Sequence, residues 1–414
     1  MPAPDHRSPD LAGLLAAAEA LPGLTDVLDG LGRDFTPTLW LVGGPVRDLL
    51  LGRTPIDLDL MLAGDPEPVA RMLDQSLRRH TEYLTASVGH IDIAQPRREH
   101  YPEPGALPHV QASASVAEDL CRRDFSVNAV ALGLTGADRG RLVCADHALE
   151  DLAARQLRVL HDASFRDDPT RLLRLARYAA RLDFSVEAHT LRLARAALEV
   201  DALQTVSGVR IGNELRRLAA EPDPVRAFIA LGQLGIDERI DPALGLVDPA
   251  LATRALTLLE PGDRRDRAVL AVALLGAPRE RAAALLDRLG YPAADRELIV
   301  DIAARAQKVS MRLEYAGPPS EIDWAAGGPN AAPELIAVAG AIHPANAARE
   351  WLVELRHRRL AITGDDLIAA GIPAGPALGE GLRAARAAML DDEAPDAASQ
   401  LAVAVDAARA AHPG

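Results

Sequence analysis

Two aspartates one residue apart, Asp57 and Asp59, are the most chemically suggestive pair in this sequence. They alternate with Ile56, Leu58 and Leu60 in a strand-like period, so the apolar residues anchor one face and the carboxylates share the other. Residues i and i+2 of a strand lie roughly 6–7 Å apart along the chain. Upstream, the apolar run Leu39–Val42 ends at Gly43-Gly44, and Pro45 suits the first turn of a short helix that Gly52 closes. Paired carboxylates on a rigid strand, beside N–H groups at a helix N-terminus, suit divalent metals and a phosphate chain. Paired aspartates alone are often a solvated face, and a lone Gly-Gly is weak. The joint order is stronger: strand, Gly-Gly, a spacer of twelve residues, then Asp-x-Asp among aliphatics.

Two later stretches add polar groups. Arg122-Arg123-Asp124-Phe125-Ser126-Val127-Asn128-Ala129 offers two planar guanidinium forks, which suit phosphate or ribose. Asp124 can accept from a ribose hydroxyl, and Asn128 can donate and accept. In isolation such a triplet is usually a surface salt-bridge cluster. Phe165–Leu182 reads as a helix capped by Asp167 or Asp168 with Pro169 in its first turn. Leu172, Leu173, Ala176, Ala179 and Ala180 face a core, while Arg171, Arg174, Arg177 and Arg181 line one side. Its bland alternative is an amphipathic helix with a solvated arginine stripe.

These residues need a scaffold. The 414 residues exceed one ordinary core, so several subdomains are expected. The first 35 residues carry a helical segment, Asp10–Ala20, and a shorter one behind it. Pro68–Arg79 has helical spacing, and Tyr83–Val88 with Ile91–Ala94 reads as a β-hairpin. Asp92 in its second strand is a candidate third metal carboxylate; a solvated strand residue is the competing reading. Arg97–Pro108, rich in proline and charge, is expected to be a mobile loop. Beyond Val206 everything reads helical, interrupted at Gly317–Pro329, which is expected to be a boundary. Arg356, Arg358 and Arg359 form a candidate basic patch. The net charge is −14, so an RNA partner requires a local basic surface. Two cysteines provide neither a disulfide framework nor zinc spacing, which points to a reducing cytoplasm. No signal peptide and no membrane-length apolar run is seen.

The Leu39–Met61 stretch resembles the nucleotidyltransferase signature of the DNA polymerase β superfamily. With Val46-Arg47-Asp48 and Leu50-Leu51-Gly52 it looks like the class II family of bacterial CCA-adding enzymes and poly(A) polymerases. Arg122–Ala129 resembles the family's second motif, with Ser126 keeping the hydroxyl. The region of its third motif has Asp146 and Asp151-Leu152 but lacks the usual glycines. Phe165–Leu182 resembles the templating motif, with Asp167 where glutamate is usual. Arg210 and Glu214 resemble the fifth.

The resemblance implies an α+β fold: a small palm of mixed sheet and helices over residues 36–160, after a helical extension over 1–35. An all-helical neck (161–220), body (221–315) and RNA-binding tail (316–414) follow. It implies addition of C and/or A to the tRNA 3′ end from CTP and ATP, with two Mg²⁺ held by Asp57 and Asp59 and Asp92 as a third carboxylate. Gly43, Gly44 and Arg47 would sit near the triphosphate. Arg122, Arg123, Asp124, Asn128, Asp167, Asp168, Arg171, Arg174 and Arg177 would bind nucleotide, and Arg356, Arg358 and Arg359 would bind RNA. No obligate protein partner is implied.

A pairing rule follows from the implied template. Asp168 only accepts hydrogen bonds and Arg171 only donates. Cytosine and adenine each present an amino donor beside a ring-nitrogen acceptor, whereas uracil and guanine present a carbonyl where the amino group should be. Unpaired buried polar groups make such rejection strong. The alternatives are a poly(A) polymerase, an enzyme adding only CC or only A, and a catalytically dead RNA-binding module. Poly(A) polymerases of this family typically carry a basic-aromatic segment after the first motif; none stands between Gly64 and Arg79.

Overall fold

The computed structural model describes residues 9–31, 35, 37–55, 57–62, 69, 78–80, 85–88, 91–113, 115–344 and 346–411. The chain forms two compact units. The first comprises Met1–Glu214 with Gln233–Arg239, and the second Leu215–Gly232 with Ile240–Gly414.

The first unit is built on a seven-stranded sheet. In chain order its strands are β1 (Leu39–Val42), β2 (Leu58–Leu62), β3 (Arg78–His80), β4 (Thr85–Val88), β5 (Ile91–Ala94), β8 (Val130–Gly133) and β9 (Leu142–Cys144). Between β5 and β8 lie β6 (Arg97–His100) and β7 (His109–Ala112), which form a separate antiparallel hairpin. The main sheet runs β3-β4-β5-β2-β1-β8-β9, and only β2 and β5 pair in parallel. Both faces of its centre are covered, so β1 reads as an unbroken apolar run. Leu39 and Leu41 join Leu58, Leu60, Leu62, Ile91 and Ile93 in one core with Leu14, Ala18 and Val46. Trp40, Val42 and Met61 pack on the opposite face with Leu120, Ala129 and Ala131. Strand parity therefore puts Asp59 on the face of Met61, away from the larger core.

Several expectations are revised. Arg97–Pro108 is not a loop throughout, because Arg97–His100 is strand β6. Its inward-facing residues are Arg97 and Glu99, which pair with each other at 3.0 Å, so no apolar alternation marks the strand. Most of the helix expected over Pro68–Arg79 lies outside the described residues, but Arg78 and Arg79 belong to β3. Ile56, the turn at 64–66 and the hairpin positions 83–84 also lie outside them. Where the third motif lacks glycine, His147 and Arg155 adopt left-handed conformations (φ 62° and 52°) at the two ends of helix Ala148–Ala154. That conformation costs a non-glycine residue roughly 1–2 kcal/mol.

The second unit is helical among the described residues, with its longest helix at Ala293–Tyr315. Helix Pro333–Ile342 is almost wholly buried, and Gly340 packs where a methyl group would fall 2.4 Å from the Ala348 Cβ. The stretch expected to be a boundary at Gly317–Pro329 contains helix Pro319–Ala326, which buries Ile322, Ala325 and Ala326. Among the described residues no single helix is long and apolar enough to cross a membrane. The bent pair Leu11–Glu19 and Leu24–Leu31 is long and apolar enough only jointly, and it supplies Leu14, Ala18, Leu24 and Val27 to the sheet's core.

The three tail arginines differ in exposure: Arg356 is buried, Arg358 half-buried and Arg359 exposed. Arg356 is buried and ion-paired with Asp263 (3.0 Å) and Glu260. Arg358 donates to the Leu390 and Met389 carbonyls (both 3.1 Å), closing the end of helix Pro376–Leu390, and pairs with Asp392. Arg359 donates to the Arg356 carbonyl. Arg356→Ala leaves Asp263 facing an emptied, largely buried site, while Glu260 stays in contact with water. A measurable loss of stability is expected, smaller than for breaking a fully buried pair because water screens Glu260, with RNA affinity of the folded variant unchanged. Chemical denaturation and tRNA titration at one salt concentration measure both.

Candidate active site

The site starts at β1. The strand delivers its chain into Gly43, whose positive φ of 72° turns it into helix Gly44–Leu50. The Arg123 guanidinium lies over this turn, with Nη1 2.6 Å from where a Cβ on Gly43 would stand. Glycine is needed here for both conformation and space.

Asp57 and Asp59 flank the start of β2. Asp57 sits in the bend before the strand, and Asp59 lies inside it, opposite Asp92 of β5 in the parallel register. The Asp59 carboxyl is raised above its usual range. Burial is the largest cause; the nearby Asp92 and Asp57 charges add to it, and Arg123 and Arg47 oppose it. Asp59 and its in-register partner Asp92 offer hard carboxylate oxygens of the kind that suits a divalent cation of the Mg²⁺ class. Among the described residues, no three His, Cys, Asp or Glu side chains already converge as a finished metal shell.

A cleft of about 390 Å³ opens beside these carboxylates. Gly44, Asp59, Arg122, Arg123, Asp124, Asn128, Asp168, Arg171 and Arg174 line it, together with Arg97, Glu99, Tyr101, Tyr178 and Glu214, among others. Asp57, Asp92, Gly43, Arg47, Asp167 and Arg177 are not part of its wall. Arg47 is buried behind it, donating to Asn128 Oδ1 (2.5 Å) and Asp48 and facing the Tyr178 ring. Arg177 lies over the same ring, 4.6 Å from its centroid. Asp167 accepts from its neighbour Arg166 at 3.3 Å.

Asp124 has a different task from the one expected. Its Oδ1 accepts from the Phe125 N–H (2.8 Å) and Asn128 Nδ2 (3.0 Å). Its Oδ2 accepts from Arg174 Nε (2.8 Å) and Nη2 (2.5 Å). About four lone-pair sites are thereby filled, which leaves none for a ribose hydroxyl. Burial works against its ionisation, but Arg174 and the Asn128 hydrogen bond outweigh burial and hold the pKa at about 2. Asp124 holds Arg174 and Asn128 in the wall.

Asp168 and Arg171 are each anchored from behind. Asp168 Oδ1 accepts from the Thr170 N–H (3.1 Å), the Thr170 hydroxyl (2.6 Å) and Arg210 Nη2 (2.8 Å). Arg171 donates from Nη1 to the Ser164 hydroxyl (2.7 Å) and from Nη2 to the Arg122 carbonyl (2.8 Å). A guanidinium has five N–H donors, so these two bonds do not exhaust it. Asp167 plays no part in this bracing; Ser164 and the Arg122 backbone do it.

Sequence reading missed Glu99, Tyr101, Ser164 and Tyr178. Glu99 accepts from Arg122 Nη1 (2.7 Å) and from the Tyr101 hydroxyl (3.1 Å), and burial pushes that phenol's pKa up. These residues follow no periodic pattern that marks them. Tyr178 lay inside a stretch already singled out, and its position beside Arg177 was the available signal.

Residues 39–158 match the Poly A polymerase head domain. Over 368 residues the chain is 34% identical to a CC-adding tRNA nucleotidyltransferase of Deinococcus radiodurans, covering 86% of each protein. It is 31% identical over 408 residues to an A-adding tRNA nucleotidyltransferase of Geobacter sulfurreducens, covering 91% of this chain but only 46% of that protein's length. A solved Thermotoga maritima CCA-adding enzyme complexed with tRNA superposes with a TM-score of 0.70 at 27% identity, covering 96% of this chain and 98% of that one. A glycine turn beneath an arginine, two in-register aspartates and a braced Asp–Arg pair thus coincide with likeness along nearly the whole chain, which belongs to the tRNA nucleotidyltransferase and poly(A) polymerase family.

Proposed function

We propose that this chain extends the 3′ end of tRNA with C or A, transferring a nucleotide from CTP or ATP and releasing pyrophosphate. The observation that carries the reading is the shared cleft, which joins Asp59, the Arg123 fork and the Asp168–Arg171 pair. A carboxylate, a cationic channel and a base-reading edge in one cleft are what a nucleotide-transferring site needs.

Each group has a task derived from its surroundings. The Gly43–Gly44 turn allows the triphosphate close to the backbone, and Arg123 above it neutralises phosphate charge. Arg174, held by Asp124, adds a second cation along the wall. Asp168 and Arg171, immobilised by Arg210, Thr170 and Ser164, offer an acceptor and donors to the edge of the base. Two Mg²⁺ held by Asp57 and Asp59, with Asp92 as third carboxylate, would lower the pKa of the attacking hydroxyl and offset the charge on the leaving pyrophosphate.

The test uses tRNAs lacking part or all of the terminal CCA, incubated with each triphosphate singly, and sequences the ends. Incorporation confined to C, A or both at the missing positions is the expected result. Long A tracts would instead support a poly(A) polymerase, and no incorporation from any triphosphate would sink the enzymatic reading.

A further inference from the structure

We propose that Asp119 is a positioning residue of the phosphate channel: one fully buried carboxylate aligns Arg122 and Arg123 and so sets where their guanidiniums meet the triphosphate and the departing pyrophosphate. The proposal rests on the nucleotide-transfer reading above and names a residue that touches no substrate.

Asp119 lies on helix Val116–Cys121 and has no exposed surface. Its Oδ1 accepts from Arg122 Nε (2.9 Å) and Nη2 (2.6 Å), and from the backbone N–H of Arg97 (3.2 Å). Its Oδ2 accepts from Arg123 Nε (3.3 Å) and Nη2 (3.2 Å). Arg122 caps this helix in a helical conformation and Arg123 follows in the bend beyond it, so both side chains stay within reach of a residue in the last turn. A carboxylate three and four residues before a pair of arginines can therefore gather both.

The geometry also decides what each arginine presents. Asp119 takes the Nε–Nη2 edge of both forks and leaves the two Nη1 groups pointing elsewhere. Arg122 Nη1 reaches Glu99, and Arg123 Nη1 lies over Gly43. Arg123 thus bridges a buried anchor and the mouth of the glycine turn. Through the Arg97 N–H the same carboxylate pins the start of β6, the strand that brings Glu99 and leads to Tyr101 in the wall. Arg122 is matched by Asp119 and Glu99 together, whereas Arg123 shares Asp119 with it, so Arg123 is the fork less fully neutralised and better placed to meet a phosphate chain.

The experiment first establishes, for the wild-type chain, nucleotide addition to tRNA and its inhibition by inorganic pyrophosphate. Absence of both would fail the functional reading and not this inference. Asp119→Asn keeps shape but removes the charge. It is expected to raise KM for the triphosphate and the inhibition constant for pyrophosphate together, each roughly tenfold, as for loss of a charge-assisted bond. The tRNA Kd should stay within about twofold, since tRNA affinity comes from backbone contacts spread over a wide surface. A purely structural role would lower the melting temperature and leave the pyrophosphate constant of the folded fraction unmoved, which overturns the proposal. A double-mutant cycle supplies the second readout. Once Arg123→Gln is present, adding Asp119→Asn should cost clearly less than in the wild type, whereas additive losses would show that Asp119 does not act through Arg123. If Asp119→Asn does not fold, Asp119→Glu keeps the buried charge while displacing both forks by one methylene. A folded Asp119→Glu with unchanged pyrophosphate inhibition also overturns the proposal.

Discussion

Asp59→Ala is expected to abolish nucleotide incorporation while tRNA binding stays within a few fold of wild type. Asp59 is half-buried in β2, opposite Asp92 and beside Asp57, and its carboxyl is raised first by burial and then by those two neighbours. A group held under such repulsion is suited to sharing a cation, and charge stabilisation by a bound metal is worth several kcal/mol in the transition state. Each 1.36 kcal/mol is tenfold in rate, so a fall of about 10³-fold or more is anticipated. Affinity for tRNA should survive because it comes from phosphate contacts and not from this carboxylate. Asp57→Ala should behave alike, and Asp92→Ala should show whether the third carboxylate is needed. Single-turnover incorporation across a Mg²⁺ titration, with tRNA binding measured in parallel, separates the two effects. An Asp59→Ala variant turning over near the wild-type rate would remove the two-metal reading.

The placement of Asp59 was legible in the sequence because local periodicity encodes it, whereas Asp57, expected on the same strand, lies in the bend before it. Leu58 and Leu60 go into the larger core and Asp59 to the other face, as alternation requires. Gly43 does take a positive φ, and helix Gly44–Leu50 does follow. Asp92 could be picked out as a candidate, but its register with Asp59 depends on strand pairing that no local pattern states. The polar network was less legible, because its order comes from pairing across long separations. Arg174 meets Asp124 fifty residues away and Arg171 meets the Arg122 carbonyl forty-nine away. Strand β6 hid for the same reason, since its inward residues are charged and satisfied by each other and by Arg122. That Arg356 is buried and Arg358 is tied to a helix end was not legible, because clustering of like charges in sequence says nothing of the carboxylates and carbonyls that fold against them.

Arg171→Ala is expected to relax base selection, not merely to slow the reaction. In the folded protein Arg171 is 5% exposed and held by Ser164 and the Arg122 carbonyl, while Asp168 is held by Arg210 and Thr170. Two fixed groups of opposite hydrogen-bonding character are what a protein-built template needs. Cytosine and adenine accept from the guanidinium and donate to the carboxylate, so both lose a partner when the arginine goes. Each should lose roughly 1–3 kcal/mol of transition-state stabilisation, the range for leaving one buried partner unpaired. UTP and GTP never made the full pair and lose less, so their relative disadvantage shrinks and misincorporation rises as a fraction of the total. The variant also strips donors from Ser164 and the Arg122 carbonyl, and that general cost falls on all four triphosphates equally. The ratios among the four therefore carry the information and the absolute rates do not. Measuring kcat/KM for each triphosphate in wild type and Arg171→Ala supplies those ratios. A uniform fall with unchanged ratios would make the helix a scaffold whose arginine stripe serves packing alone, and the choice of C and A would then have to be made by other groups in the cleft.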